Sequence, residues 1–212
     1  MNLHEVVPIT YMGGTGGNFL CHLIVSAKRK IKTIPELSRY GNSHIACFKD
    51  IIGPPHGIDE DDLVKLDWLI NCSYPDYTSS PYYTAAHIKN ANLLSEHFKK
   101  SVRITFDSDD IISVSSAFLG KYFVDEMKID LNNISSYKSL AMNKLTSSLP
   151  FFQKDESLST TMFISWKELF NGNAETLIYK LSEFTEINST DFSTDALMHW
   201  RDKTKECIDT FI

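Results

Sequence analysis

The residues that most suggest chemistry lie at 11–20, Tyr11-Met12-Gly13-Gly14-Thr15-Gly16-Gly17-Asn18-Phe19-Leu20, where four of the nine glycines in the chain fall within five positions. Glycines leave the backbone bare and let it take positive φ, so that successive N–H groups can close around an oxyanion. If a strand enters this loop and a helix leaves it, the unpaired N–H groups of the first turn and the positive end of the helix dipole favour phosphate or sulfate. The loop is not a Walker A motif, because Asn18 stands where the lysine would follow the last glycine. It is not the dinucleotide G-x-G-x-x-G either, because Gly14 and Gly16 are followed by Phe19 at the third position. The competing reading is a tight strand-to-helix turn that binds nothing.

Further candidates stand apart in sequence. His87 is one of seven histidines, any one of which is more often structural or on the surface, though imidazole titrates near neutral pH and suits acid–base work. His199-Trp200-Arg201-Asp202-Lys203 joins an aromatic to basic residues, and otherwise reads as the solvated face of a terminal helix. Ser73 to Tyr83 is a proline- and tyrosine-rich loop whose rings could receive a sugar or pin the loop by packing. Cys21, Cys47, Cys72 and Cys207 make no C-x-x-C pair, so neither a zinc ribbon nor a redox motif is indicated, and free buried thiols are expected.

The elements that must position these residues follow from periodicity and punctuation. Val6 to Tyr11 is a β-rich run containing Pro8. Phe19, Leu20, Leu23, Ile24 and Ala27 recur at helical spacing, with Lys28, Arg29 and Lys30 at the end. Residues 33–66 are irregular, with a firm turn at 53–57 and a solvated loop or helix start at 58–62. Strands are expected at 67–72, 101–106 and 160–165. Helices are expected at 88–98, from the Ser/Asp cluster after residue 106 to about Phe123, at 133–145, 166–170 and 174–184, and from Ser193 onward. Strands alternating with helices predict an α/β domain with a mainly parallel sheet, read as one domain over 1–212.

Composition narrows the function classes. The chain has 212 residues, is 42% apolar and carries a net charge of −6. This disfavours a broad electrostatic grip on nucleic acid or an anionic membrane and leaves room for a local basic pocket. Acid early in the N-terminal stretch and the lack of a long apolar run predict neither signal peptide nor membrane span, hence a cytoplasmic protein.

The glycine loop resembles the 5′-phosphosulfate loop of sulfotransferases that use 3′-phosphoadenosine 5′-phosphosulfate, with Gly13-Gly14-Thr15 matching its Ser/Gly-Gly-Thr. Two later stretches are similar to that family in the same order. Ala86-His87-Ile88-Lys89-Asn90, a helix, the strand Ser101 to Phe106 and Asp109-x-x-x-Ser113 resemble its Thr-His-Leu-Pro segment and the strand ending in Arg-Asn-Pro-x-Asp-x-x-x-Ser. Phe163-Ile164-Ser165-Trp166-Lys167-Glu168-Leu169-Phe170 resembles its Tyr-Glu-Asp-Leu strand end. The resemblance spans about three quarters of the chain, through degenerate motifs. It implies a three-layer, P-loop-like sulfotransferase fold.

The resemblance further implies that Gly13, Gly14, Thr15, Gly16, Gly17 and Asn18 hold the 5′-phosphate of the donor, that His87 is the base, and that Ser113 contacts the 3′-phosphate. No metal is required. The acceptor would be a small molecule or a glycan. Met12 stands where the family has Lys or Arg, and Thr105 where it has the 3′-phosphate arginine. Arg103, on the same strand face as Thr105, and Arg201 are the substitutes considered, along with Lys28, Lys121 and Lys203. Two alternatives stay open: a catalytically silent nucleotide- or anion-binding or assembly protein, and a nucleotide-dependent phosphotransferase.

Overall fold

The computed structural model describes residues 5–41, 58–59, 81–89 and 91–212; at 58–59, His87, Ala91, Asn92 and Glu126 the description is of backbone only. Strand β1 (Val6–Thr10) runs through the glycine loop into α1 (Gly17–Lys28). After these come β2 (Ile58–Asp59), β3 (Tyr82–His87), α2 (Ala91–His97), β4 (Ser101–Thr105), α3 (Ile111–Phe118) and α4 (Ile134–Ser148). The order closes with β5 (Thr161–Ser165), α5 (Trp166–Asn171), α6 (Ala174–Thr185) and α7 (Thr194–Phe211). The described strands form one sheet in the order β2-β3-β1-β4-β5, and every pairing is parallel. The fold is therefore α/β with a parallel sheet, as the alternation of elements predicts.

The parallel order sets where a ligand can sit. The chain moves one way from β1 to β2 and the other way from β3 to β4, so right-handed crossovers carry α1 and α2 to opposite faces. The packing agrees. Val7, Ile9, Tyr83, Ala85, Val102 and Ile104 join the α1 side chains in the main core, whereas Val6, Ala86 and Ile88 pack with Leu94 and Phe98 of the α2 region in a second, smaller core. Alternate strand residues thus serve different layers. In such sheets the ligand crevice lies beyond the carboxyl ends of the strands, where the winding direction switches. The glycine loop leaves the carboxyl end of β1, the strand between β3 and β4.

Pro8 sits inside a central strand without breaking the sheet. β1 pairs with β3 along its full length but with β4 only at Ile9 and Thr10, so Pro8 stands where β1 has a neighbour on one side only. α1 is buried almost all round, from Phe19 through Ala27.

The expected strands at 101–106 and 160–165 and the expected helices from 111 onward lie within a few residues of those observed. Three expectations need correction. Tyr82 and Tyr83, read as loop, begin β3, because the ladder to β1 supplies the pairing that local composition does not advertise. Ile58–Asp59, read as a solvated loop or helix start, forms a short strand beside Ala86 and His87. The helix after Asp110 is not α-helical as far as its expected end near Phe123: after Phe118 it changes to a π-helical stretch over Leu119–Glu126. The turn at 53–57, the strand at 67–72 and most of the tyrosine-rich loop lie outside the described residues, as do Cys47 and Cys72, whereas Cys21 and Cys207 are free and buried.

Candidate functional site

Met12 to Thr15 forms a turn closed by the Thr15 N–H donating to the Met12 carbonyl at 3.0 Å, with Gly14 at φ 87°. That φ is what the third residue of a type II turn requires and what other residues avoid. Gly16 then takes the left-handed conformation, φ 86° and ψ 18°, as the N-cap of α1. Among the described residues no side chain caps this helix, and its first turn holds no acidic residue, so its first-turn N–H groups have no side-chain acceptor there.

The bareness of the loop has a second cause in packing. A Cβ on Gly14 would fall 2.8 Å from the Phe118 backbone nitrogen, and one on Gly13 would meet the Phe118 ring. A Cβ on Gly16 would strike the Trp200 ring, and one on Gly17 the Tyr11 ring. Tyr11 folds over the helix start and donates its hydroxyl to Asn18 Oδ1 at 2.7 Å. Trp200 stacks on Phe19 with centroids 4.9 Å apart. The four glycines therefore let three aromatic rings and the end of α3 close on the loop. Gly13, Gly14, Gly16 and Asn18 keep partial exposure.

Several residues expected at the site are engaged elsewhere. The Thr15 hydroxyl, assigned to phosphate by the resemblance, is fully buried and donates to the Met12 carbonyl at 2.6 Å. Met12 itself packs in the main core. Arg103 is 1% exposed, donates to the carbonyls of Lys89 (2.7 Å) and Phe151, and lies over the Phe152 ring. Arg201 donates from Nε to the Leu169 carbonyl at 2.9 Å and from a terminal nitrogen to the Glu168 carbonyl at 3.2 Å. It closes the end of α5 rather than facing the loop, and burial lowers its pKa. Lys28 donates to the Pro81 carbonyl, and Lys203 pairs with Glu206. Ser113 is half-buried in the first turn of α3. Asp110, one of the acids that would repel a phosphate, is buried, reciprocally capped with Asp107 and paired to Lys167 at 3.5 Å. His87 ends β3 at the same sheet edge as the loop, beside Asp59 in register; its side chain lies outside the description.

Sequence reasoning missed Phe118 and Lys144. Lys144, on α4, sets its Nζ 5.0 Å from the Phe118 ring centroid and 5.6 Å from that of Tyr122. Its ammonium loses solvation there, and with Lys89 nearby its pKa is held below the usual lysine value. Lys121 was considered as a substitute cation. It is buried, donates to Thr204 Oγ1 at 2.8 Å, lies 4.5 Å from the Trp200 ring centroid, and is pushed down to about 8 by burial. Burial drives Cys207 beside it up to about 12. His22 on α1 is held near 4 for the same reason.

A cavity of about 220 Å³ between α3, α4 and the end of α7 is lined by Ile112, Ser115, Leu119, Lys138 and Phe211 among others, and includes no residue expected at the site. Among the described residues no three His, Cys, Asp or Glu side chains converge as metal ligands would, and no helix is long and apolar enough to cross a membrane. No family model, curated protein or solved structure matches the chain.

Proposed function

We propose that the chain is a sulfotransferase-like enzyme of P-loop-like, three-layer architecture. In this reading the loop Gly13–Asn18 binds 3′-phosphoadenosine 5′-phosphosulfate, and the sulfuryl group passes to a hydroxyl or amine of a small-molecule or glycan acceptor. The observation that carries the reading is the uncapped start of α1, presented by a glycine loop at the carboxyl end of the strand between β3 and β4. The chemistry asks little else. The acceptor oxygen or nitrogen bonds to sulfur, the bond from sulfur to the phosphate oxygen breaks, and His87 takes the acceptor proton. Loop amides stabilise charge on the departing 3′-phosphoadenosine 5′-phosphate.

Thermal denaturation with 3′-phosphoadenosine 5′-phosphate, beside ATP and inorganic sulfate, tests this. A ligand that binds only the folded state at a hundred times its Kd stabilises by about 2.7 kcal/mol, so millimolar bisphosphate raises Tm by several degrees. With the donor, His87→Ala abolishes transfer and leaves binding within about twofold, as expected of a general base. No rise in Tm with the bisphosphate contradicts the reading. Specific observations favour a second reading, an anion-binding module without catalysis: Met12 is in the core, and both arginines are engaged with backbone carbonyls. Binding without turnover in the wild-type chain is its signature.

A further inference from the structure

The loop offers amides but no charge of its own, so the cation that phosphate chemistry needs must arrive from another element. Phe118 is the part of the fold that meets both Gly13 and Gly14, and the nearest ammonium to its ring in the described structure is that of Lys144, 5.0 Å from the centroid. We propose that Lys144 on α4 supplies the missing loop cation, and that with the Trp200 indole N–H it fixes a phosphate-type oxyanion against Gly13–Asn18. This rests on the loop-binding reading above and deepens it by naming the side chains that hold the charge.

Three observations support it. First, no described carboxylate pairs with Lys144, although five other described lysines do find acidic partners: Lys100, Lys154, Lys167, Lys180 and Lys203. Secondly, Lys144 is exposed and its Nζ lies 5.0 Å from the Phe118 ring centroid and 5.6 Å from that of Tyr122, so its charge is held, open to solvent, beside the ring that covers Gly13 and Gly14. Thirdly, Trp200 is fully buried, its ring edge borders Gly16, and its Nε1–H meets no acceptor among the described residues. A buried donor left without an acceptor is costly, and an oxyanion at Gly16 and Gly17 would satisfy it.

The test is calorimetric titration of the full chain with 3′-phosphoadenosine 5′-phosphate and with inorganic phosphate. It uses wild type, Lys144→Met, Lys144→Arg and the control Lys100→Met, at the opposite, amino end of β4, with thermal denaturation of each unliganded variant as a check on folding. The account expects wild type and the control to bind alike, Lys144→Met to weaken binding about tenfold or more, and Lys144→Arg to restore most of it. The salt dependence of binding should fall in Lys144→Met, since one exposed charge no longer contributes. The Trp200 indole ¹H–¹⁵N resonance should move on titration. Wild-type binding that Lys144→Met leaves unchanged overturns the assignment of Lys144 while the loop reading stands. Binding that never moves the Trp200 resonance overturns the role of Trp200. A wild-type chain that binds neither ligand overturns this proposal and the loop reading together.

Discussion

His22 shows how a single buried group leaves a trace in bulk stability. It lies in α1, 3% exposed, with Nε2 3.3 Å from Ser26 Oγ and Nδ1 without a partner among the described residues. Burial lowers its pKa from 6.5 to about 4. Between those values the unfolded chain binds the proton and the folded chain does not, so this contribution is complete above pH 6.5 and is lost as pH falls toward 4. The shift corresponds to a loss on the order of 3 kcal/mol over that window. Urea denaturation at pH 7 and pH 4.5 should show a larger drop for wild type than for His22→Gln; equal drops would mean that the imidazole is not held neutral. Gly14 carries a different lesson at the same scale. Its positive φ and its contact with the Phe118 backbone mean that any side chain there disturbs the fold before it disturbs a ligand.

At the scale of elements, the glycine loop is held by helices that are distant in sequence. The end of α3 abuts Gly14, α7 brings Trp200 to Gly16, and α4 brings Lys144 over Phe118. Arg201 is part of this framework. Its bonds to Glu168 and Leu169 tie α7 to the end of α5 and so help to seat Trp200, which also meets the Trp166 ring edge-on. Arg201→Met should therefore cost about 1–3 kcal/mol by taking the Arg201 donor from the Leu169 carbonyl, the Glu168 carbonyl still accepting from the Gly172 N–H, while the folded fraction binds 3′-phosphoadenosine 5′-phosphate as before. Normal stability with lost binding would instead make Arg201 a ligand contact. Most of these elements were legible in the sequence, because the helices from α3 onward carry clear apolar periods and Ser or Asn caps such as Ser165, Asn173 and Ser193. β3 was not, since Ala85 and Ala86 have little intrinsic strand preference and gain their conformation from pairing to β1.

Taken whole, the molecule places a bare loop at the winding switch of a parallel sheet and surrounds it with aromatic rings. The sequence could point to the loop because glycine clustering is local. It could not point to Lys144 or Phe118, which look like ordinary helix positions until the fold carries them to the loop. For the same reason Arg103 and Arg201 looked available: nothing in a linear pattern shows that backbone carbonyls of Lys89, Phe151, Glu168 and Leu169 lie within their reach.

The central claim is that Gly13–Asn18 receives a phosphate-type oxyanion, and amide chemical shifts test it at the atoms concerned. In ¹⁵N-labelled protein titrated with 3′-phosphoadenosine 5′-phosphate, the account predicts saturable shifts in the amides of Gly13, Gly14, Gly16, Gly17 and Asn18, larger than those around the 220 Å³ cavity at Ser115 and Leu119. A folded protein whose loop amides stay fixed to millimolar ligand, or whose shifts gather at that cavity instead, would contradict it.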